Sequence, residues 1–340
     1  MKIGILTGGG DCPGLNPAIR GAYLRAADFK DEVIGILNGW KGLLEKETIS
    51  LSLKDIDEIT SHGGTILGTT RVNPAKHKEN GLKICYENFK ALNLDAIIAM
   101  GGEDTLGIAN KLFSEFNLPI VGVPKTMDND LSCTDYTFGF DTSVTVAIDA
   151  LDRLRDTGRS HRRIMVLEVM GRHAGWVALF TAIGAGADWV LIPEIEPDLD
   201  KMCKHLIKAK ERKGYALVVV SEGIKIKVDK EERLDEFGHM ILQKRGVGKI
   251  IADEIEKKTG IETRLSVIGH IQRGGPPTLF DRILGLRVGV AAVEFVHQGK
   301  FGTMAALVGN KIIPVPLIEA SGKLKLVDEY WYNLANILFK

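Results

Sequence analysis

Short apolar runs rich in β-branched residues alternate along the chain with longer stretches whose apolar residues recur at three- and four-residue steps. The runs are KIGILT (2–7), EVIGIL (32–37), DAIIAMGG (95–102), PIVGVP (119–124), RIMVLEVM (163–170), WVLIP (189–193), YALVVVSEG (215–223), RLSVIG (264–269) and AALVG (305–309). Helical spacing marks 16–29, 105–116, 143–156 and 279–297. Runs of this length and composition are strands, and the wider period is that of helices with one buried face. Their alternation predicts an α/β protein with largely parallel sheets. At 340 residues, 45% of them hydrophobic, two ordinary domains are expected.

In open parallel sheets, ligands bind beyond the carboxyl ends of the strands, so the residues after each run are the ones to inspect. ILT is followed by GGGDCPGLN, IIAM by GGEDT, VGV by PKTMDND, LEV by MGRHAG, VVV by SEG and SVI by GHIQRGG. Each of these ends carries glycine, charge or hydroxyl. Glycines after a strand let the backbone approach a ligand, and the helix expected from Asn16 offers free N–H groups to an anion. Tight turns would use the same glycines. The first loop has neither the GxxxxGK[ST] spacing of a P-loop nor the GxGxxG of a dinucleotide site. Glu103 and Asp104 open a helix, where acids complement the dipole; beside a second glycine loop they are also a reasonable pair for Mg²⁺, which takes one or two carboxylates plus phosphate oxygens. Arg172, His270 and Arg273 sit at strand ends suited to phosphate and sugar oxygens, whereas single arginines are commonly solvated surface residues. His161 and His173 read as structural.

Charge narrows the partners. Lys plus Arg equals Asp plus Glu, 44 each, so no overall field draws in nucleic acid or an anionic membrane, and an anionic ligand needs a local cluster. Cys12, Cys85, Cys133 and Cys203 lie far apart without a CxxC pair, which argues against a zinc site or disulfide framework and for a reducing, cytoplasmic setting. No signal-peptide core follows the N-terminal run, and no stretch approaches the roughly 20 apolar residues of a membrane span. The charged segment at 224–246 is expected to be a solvated excursion with a helix or hairpin.

GGGDCPGLN, GGT.LG..R (Gly63 to Arg71), GGEDT, PKTMDND, MGR and GHIQRGG, in this order over about residues 1 to 290, closely resemble the motifs of the 6-phosphofructokinase family. The resemblance implies two doubly wound domains. One is expected over 1–139 plus about 277–325 for the phosphate donor and Mg²⁺, the other over about 140–276 plus 326–340 for fructose 6-phosphate. It implies that Asp128 accepts the proton of the sugar 1-hydroxyl, with Thr126, Met127 and Asp130 as neighbours that position substrate. It further carries over Arg163, Met170, Gly171, Arg172, Glu222, Arg264, His270, Ile271, Gln272 and Arg273 to the sugar phosphate, with Arg172 also stabilising the transition state. The counterparts of Arg163 and Arg264 reach in from a neighbouring subunit, which implies a homodimer or homotetramer with shared sites.

Two positions bear on the donor. Bacterial ATP-using relatives usually have glycine where this chain has Asp104 and Lys125, and the pair resembles pyrophosphate-dependent members. An acidic side chain at 104 would crowd and repel the α-phosphate of ATP, while Lys125 would neutralise the leaving oxygens of pyrophosphate, with Gly10 also at the donor. Glu103 stands where many members have aspartate and still reaches a metal. Leu24 replaces a basic effector-site residue of the ATP enzymes, which argues against nucleotide regulation. The expected activity is reversible, pyrophosphate-dependent phosphorylation of fructose 6-phosphate. Its rivals are an ATP-dependent 6-phosphofructokinase and a non-catalytic sugar-phosphate-binding subunit; retention of Asp128, Asp130 and Arg172 counts against the latter.

Overall fold

A computed structural model describes residues 1–77, 79–226 and 246–339. Most of the charged segment at 224–246 therefore lies outside the described residues. The strands are β1 (Lys2–Thr7), β2 (Glu32–Ile36), β3 (Thr48–Ser50), β4 (Ala96–Gly101), β5 (Ile120–Pro124), β6 (Ile164–Val169), β7 (Trp189–Leu191), β8 (Ala216–Ser221), β9 (Thr263–Val267), β10 (Thr303–Val308) and β11 (Lys311–Pro316). They form a seven-stranded sheet in the order β11-β10-β5-β4-β1-β2-β3 and a four-stranded sheet in the order β7-β8-β6-β9. All pairings are parallel except those of the outer strands β3 and β11.

Every apolar run read from the sequence is a strand, and the central ones are covered on both faces, whereas β9 at the edge of the second sheet is partly exposed. In β1, Ile3 and Ile5 pack with Ala18, Ile19, Val288 and Ala292 of the helices Leu15–Asp28 and Leu279–His297. Leu6 points to the other side, with Leu106 and Leu112 of helix Glu103–Phe116. The second sheet divides in the same way: Leu167 and Leu217 face Val177 and Leu179, while Val166 and Val218 face Leu206 and Ile251. β3 and β11 are the additions. They are edge strands, half-exposed and, in KIIPVP, broken by prolines, so they lack the continuous apolarity that marks a central strand.

Helices Leu15–Asp28 and Leu279–His297 approach so closely that a Cβ on Gly289 would lie 2.1 Å from the Ala18 carbonyl oxygen. Gly285 of the second helix in turn lies against the Gly14 carbonyl in the loop after β1. Within the first sheet the chain order reverses about β1, with β2 on one side and β4 on the other, which opens a crevice between the loops after β1 and β4. The second sheet reverses similarly about β6. Among the described residues, no helix is long and apolar enough to cross a membrane.

Candidate active site

The site is assembled from loops at the carboxyl ends of the parallel strands. After β1, the Gly8 N–H donates to the Met100 carbonyl at 2.9 Å and the Gly9 N–H to the Thr70 carbonyl at 3.0 Å. Gly9 has φ +80°, a conformation that favours glycine, and a Cβ on Gly10 would meet the Arg273 guanidinium at 2.7 Å and push that group aside. Asn16 opens toward the segment 62–66, donating to the carbonyls of His62 and Gly63 and accepting from the Ile66 N–H. This is how the GGT.LG..R stretch comes to lie on the glycine loop, with Arg71 at the cleft.

After β4, Glu103 and Asp104 occupy the first turn of helix Glu103–Phe116, where the helix dipole favours their charge. After β5, Lys125 is buried, 4% exposed. Its backbone N–H donates to the Gly101 carbonyl at 3.0 Å and its ammonium donates to the Gly10 carbonyl. Burial pulls the Lys125 pKa down to about 8, with the nearby Arg273 and Arg71 charges adding to the effect. The next residues turn sharply. The Asp128 N–H donates to Thr126 Oγ1 at 3.1 Å, Asn129 has φ 52°, and its Oδ1 accepts the Thr137 N–H at 3.1 Å. The turn brings Asp128 and Asp130 to the same cleft. Burial, followed by the charge of Asp128, raises the Asp130 carboxyl to about 7, against the opposing hydrogen bond of Thr126. Asp128 Oδ1 is buried without a protein partner.

The second sheet closes the cleft from the other side. The Met170 N–H donates to Gln272 Oε1 at 2.8 Å, and Gly171, at φ +140°, has its carbonyl held by Ser221 Oγ at 2.7 Å. Met170, Arg172, His173 and Glu222 line the cleft. Burial pushes the Glu222 carboxyl up to about 7, with the charge of Asp128 the next largest cause. Arg273 donates to the Asp11 carbonyl at 2.9 Å, while its Nε has no protein partner.

Of the residues expected from the sequence, Gly10, Glu103, Asp104, Lys125, Thr126 and Asp128 meet Met170, Arg172, Glu222 and Arg273 in this one cleft. Others are placed differently. The side chain of Met127 is in the core, 1% exposed, which leaves only its main chain for a ligand. Gln272 is fully buried and spends both ends on Met170 and Ser143, so it braces the site from behind. His270 and Ile271 lie on the short turn Gly269–Arg273, with Ile271 68% exposed. Arg163 and Arg264 are at the opposite ends of β6 and β9, both paired with Glu262. The 6 residues of β6 separate Arg163 from the cleft by roughly 20 Å.

The cleft also includes residues that the sequence reading did not single out: Gly9, Trp40, Thr70, Val72, Gly102 and Thr105, together with Arg71 and His173. His173, read as structural, lies at the cleft because it follows Arg172 in the same strand-end loop. Trp40 follows β2, another strand end of the same sheet, and inspection of that end would have found it. Among the described residues, no three His, Cys, Asp or Glu side chains are grouped to hold a metal by themselves. Five carboxylates, those of Glu103, Asp104, Asp128, Asp130 and Glu222, nevertheless line one cleft, and the orphaned Asp128 oxygen fits a hard divalent cation that takes its remaining ligands from phosphate.

Comparison with known proteins follows the same lines. The family described as Phosphofructokinase matches residues 2–296. A pyrophosphate--fructose 6-phosphate 1-phosphotransferase of Dictyoglomus thermophilum is 52% identical over 345 residues, covering 100% of this chain and 99% of its own. An ATP-dependent 6-phosphofructokinase 3 of Streptomyces coelicolor is 48% identical over 98% of both chains. The crystal structure of a pyrophosphate-dependent phosphofructokinase from Marinobacter aquaeolei superposes with a TM-score of 0.83 at 25% identity, over 97% of this chain and 86% of that one.

The raised Asp130 pKa has a consequence for stability. Between the ordinary carboxylate range and about pH 7 the folded chain holds a proton that the unfolded chain has lost, so this group makes stability fall as pH rises through that window. Asp130→Asn removes the contribution, and urea midpoints measured from pH 5 to 8 should decline less steeply in the variant than in the parent. Parallel slopes would show that Asp130 is not the group responsible.

Proposed function

Because the chain belongs to the phosphofructokinase family, we infer that it is an enzyme transferring a phosphoryl group reversibly from pyrophosphate to the 1-hydroxyl of fructose 6-phosphate. The products are fructose 1,6-bisphosphate and phosphate. Identity alone does not select the donor, since relatives named for either donor are similarly close. The observation that carries the reading is the meeting of Asp104 and Lys125 in the cleft that also holds Asp128. A carboxylate in the first turn of helix Glu103–Phe116 repels a third phosphate, and a buried ammonium on the glycine loop suits the charge of a departing phosphate.

In this reading Asp128 takes the proton of the sugar 1-hydroxyl as that oxygen attacks phosphorus, and the displaced phosphate leaves against Lys125. Arg172 spans the two substrates and stabilises the charge that develops between them. Thr126 and Asp130 orient the acceptor, and Glu222 accepts hydrogen bonds from sugar hydroxyls. A divalent cation held here would neutralise charge on the donor phosphates. We propose Mg²⁺, with Glu103 as its principal protein ligand. Arg273 and His270 are proposed to hold the 6-phosphate from within the chain.

Arg163 and Arg264 are too far from their own cleft to join them, which supports completion of the site by a second copy in a homodimer or homotetramer. Val267, Ile271, Leu279, Phe280 and Ile283, all exposed in the single chain, supply apolar surface for such contact. The proposed division is 1–139 plus about 277–325 for the donor and about 140–276 plus 326–340 for the sugar phosphate. A cytoplasmic setting accords with the substrates.

The test is formation of fructose 1,6-bisphosphate from fructose 6-phosphate and Mg²⁺ with pyrophosphate or ATP. Pyrophosphate should be strongly preferred, and equal or better use of ATP would overturn the donor assignment. Asp104→Gly, alone or with Lys125→Gly, should move the ATP-to-pyrophosphate ratio of kcat/KM upward by about 10-fold or more, the scale of one relieved charge repulsion. An unmoved ratio in both variants would remove the physical account of selectivity. Asp128→Ala should lower kcat by ~10²–10⁴ while fructose 6-phosphate binding, measured by calorimetry, stays near that of the parent; near-normal turnover would eliminate Asp128 as the base.

A further inference from the structure

One half-buried cation packs against the site's turn without belonging to any of its motifs. Lys325 lies beyond residue 296, where the family match ends. Its segment joins helix Leu317–Ser321, packed with the first sheet, to helix Glu329–Leu338, packed with the second. The main chain of this strap is fastened on both sides. The Lys325 N–H donates to the Asp130 carbonyl at 2.8 Å, and its own carbonyl accepts Trp176 Nε1–H at 2.7 Å. The Val327 N–H donates to Glu194 Oε1 at 3.0 Å, and the same carboxylate accepts the Gly175 N–H, next to the loop that carries Arg172.

The side chain goes further. Its Nζ donates to Asn129 Oδ1 at 3.0 Å and to the carbonyls of Thr134 and Asp135, each at 2.9 Å, which uses all of its protons. None of these acceptors is a carboxylate. The charges of Asp135 and Asp130 act on it only through space, so burial dominates and pulls its pKa down to about 8. A lysine held in this way gives up hydration for geometry. What it fixes is the turn itself: Asn129 stands between Asp128 and Asp130 in a left-handed conformation, and its Oδ1 joins the lysine to the Thr137 N–H.

We propose that Lys325 is a positioning residue for phosphoryl transfer: its ammonium, closed onto Asn129, Thr134 and Asp135, holds the turn that aims Asp128 and Asp130 and ties it to the Arg172 loop. The inference rests on the phosphotransferase reading above. Removing the ammonium lets the turn relax while leaving the residues that grip substrate in place, so turnover suffers more than binding. Displacement of a reacting group by about 1 Å is enough to cost on the order of 10²-fold.

The experiment measures kcat and both KM values for the full-length parent, Lys325→Met and Lys325→Ala, with thermal melts of each and with added methylammonium. Lys325→Met should lose about 10- to 100-fold in kcat with each KM within about 3-fold of the parent. Methylammonium should restore part of the kcat of Lys325→Ala, because it can occupy the space and donate to the same acceptors. Parent-like kcat in a folded Lys325→Met, or an effect confined to KM, would overturn the proposal. So would a lowered melting temperature with unchanged kcat and no response to the amine. If Lys325→Met does not fold, Lys325→Gln, which keeps a donor without the charge, is measured instead, and parent-like kcat there is equally decisive. Absence of turnover by the parent with either donor would remove the phosphotransferase reading itself, an outcome separable from an active parent with an indifferent variant.

Discussion

The Lys125 ammonium closing on the Gly10 carbonyl is the contact on which the site depends. It joins the loop after β5 to the glycine loop after β1, and its backbone N–H meanwhile holds the end of β4. Three strand ends are thereby locked into one surface. The parallel register makes this possible, since Thr7 lies opposite Met100 and Gly101 opposite Pro124, so their loops leave the sheet at the same height. A cation buried at that junction is costly; the charge of Asp11 favours it, while those of Arg273 and Arg71 oppose it.

That balance is incomplete within the protein. Asp130 and Glu222 are both raised to about 7, chiefly by burial and then by the charge of Asp128, while Lys125 is lowered to about 8. Both signs of charge are therefore held under strain in the same place. A cleft charged in this way suits a ligand that brings charges of both signs. The same electrostatics that disfavour the ligand-free cleft thus favour its loaded state.

The two sheets are held in register by buried polar pins. Asp281 accepts the Thr142 N–H and hydroxyl, linking the helices Phe140–His161 and Leu279–His297, while Gln272 ties Met170 to Ser143 on the second sheet's side. The strap around Lys325 adds a further link from the C-terminal segment. These contacts set the distance between Asp128 and Arg172, which follow strands of different sheets and line the same cleft.

The strands, the principal helices and the chemistry of the loops were legible in the sequence because burial on both faces demands continuous apolarity and because strand-end loops must display what the ligand needs. Asp104, Lys125, Asp128, Arg172 and Glu222 could be named from it. The edge strands β3 and β11 could not, since edges escape the demand for apolarity. Nor could the placement of Gln272 behind the cleft or of Trp40 and His173 on its wall, whereas Arg163 and Arg264, the first residues of their apolar runs, could be placed at the far end of their strands. The role of Lys325 was equally hidden, because nothing in GKLKLV distinguishes one lysine from another. Local sequence carries propensity and residue type; which polar atoms face one another across 196 residues, as Lys325 and Asn129 do, is decided only when the two sheets pack.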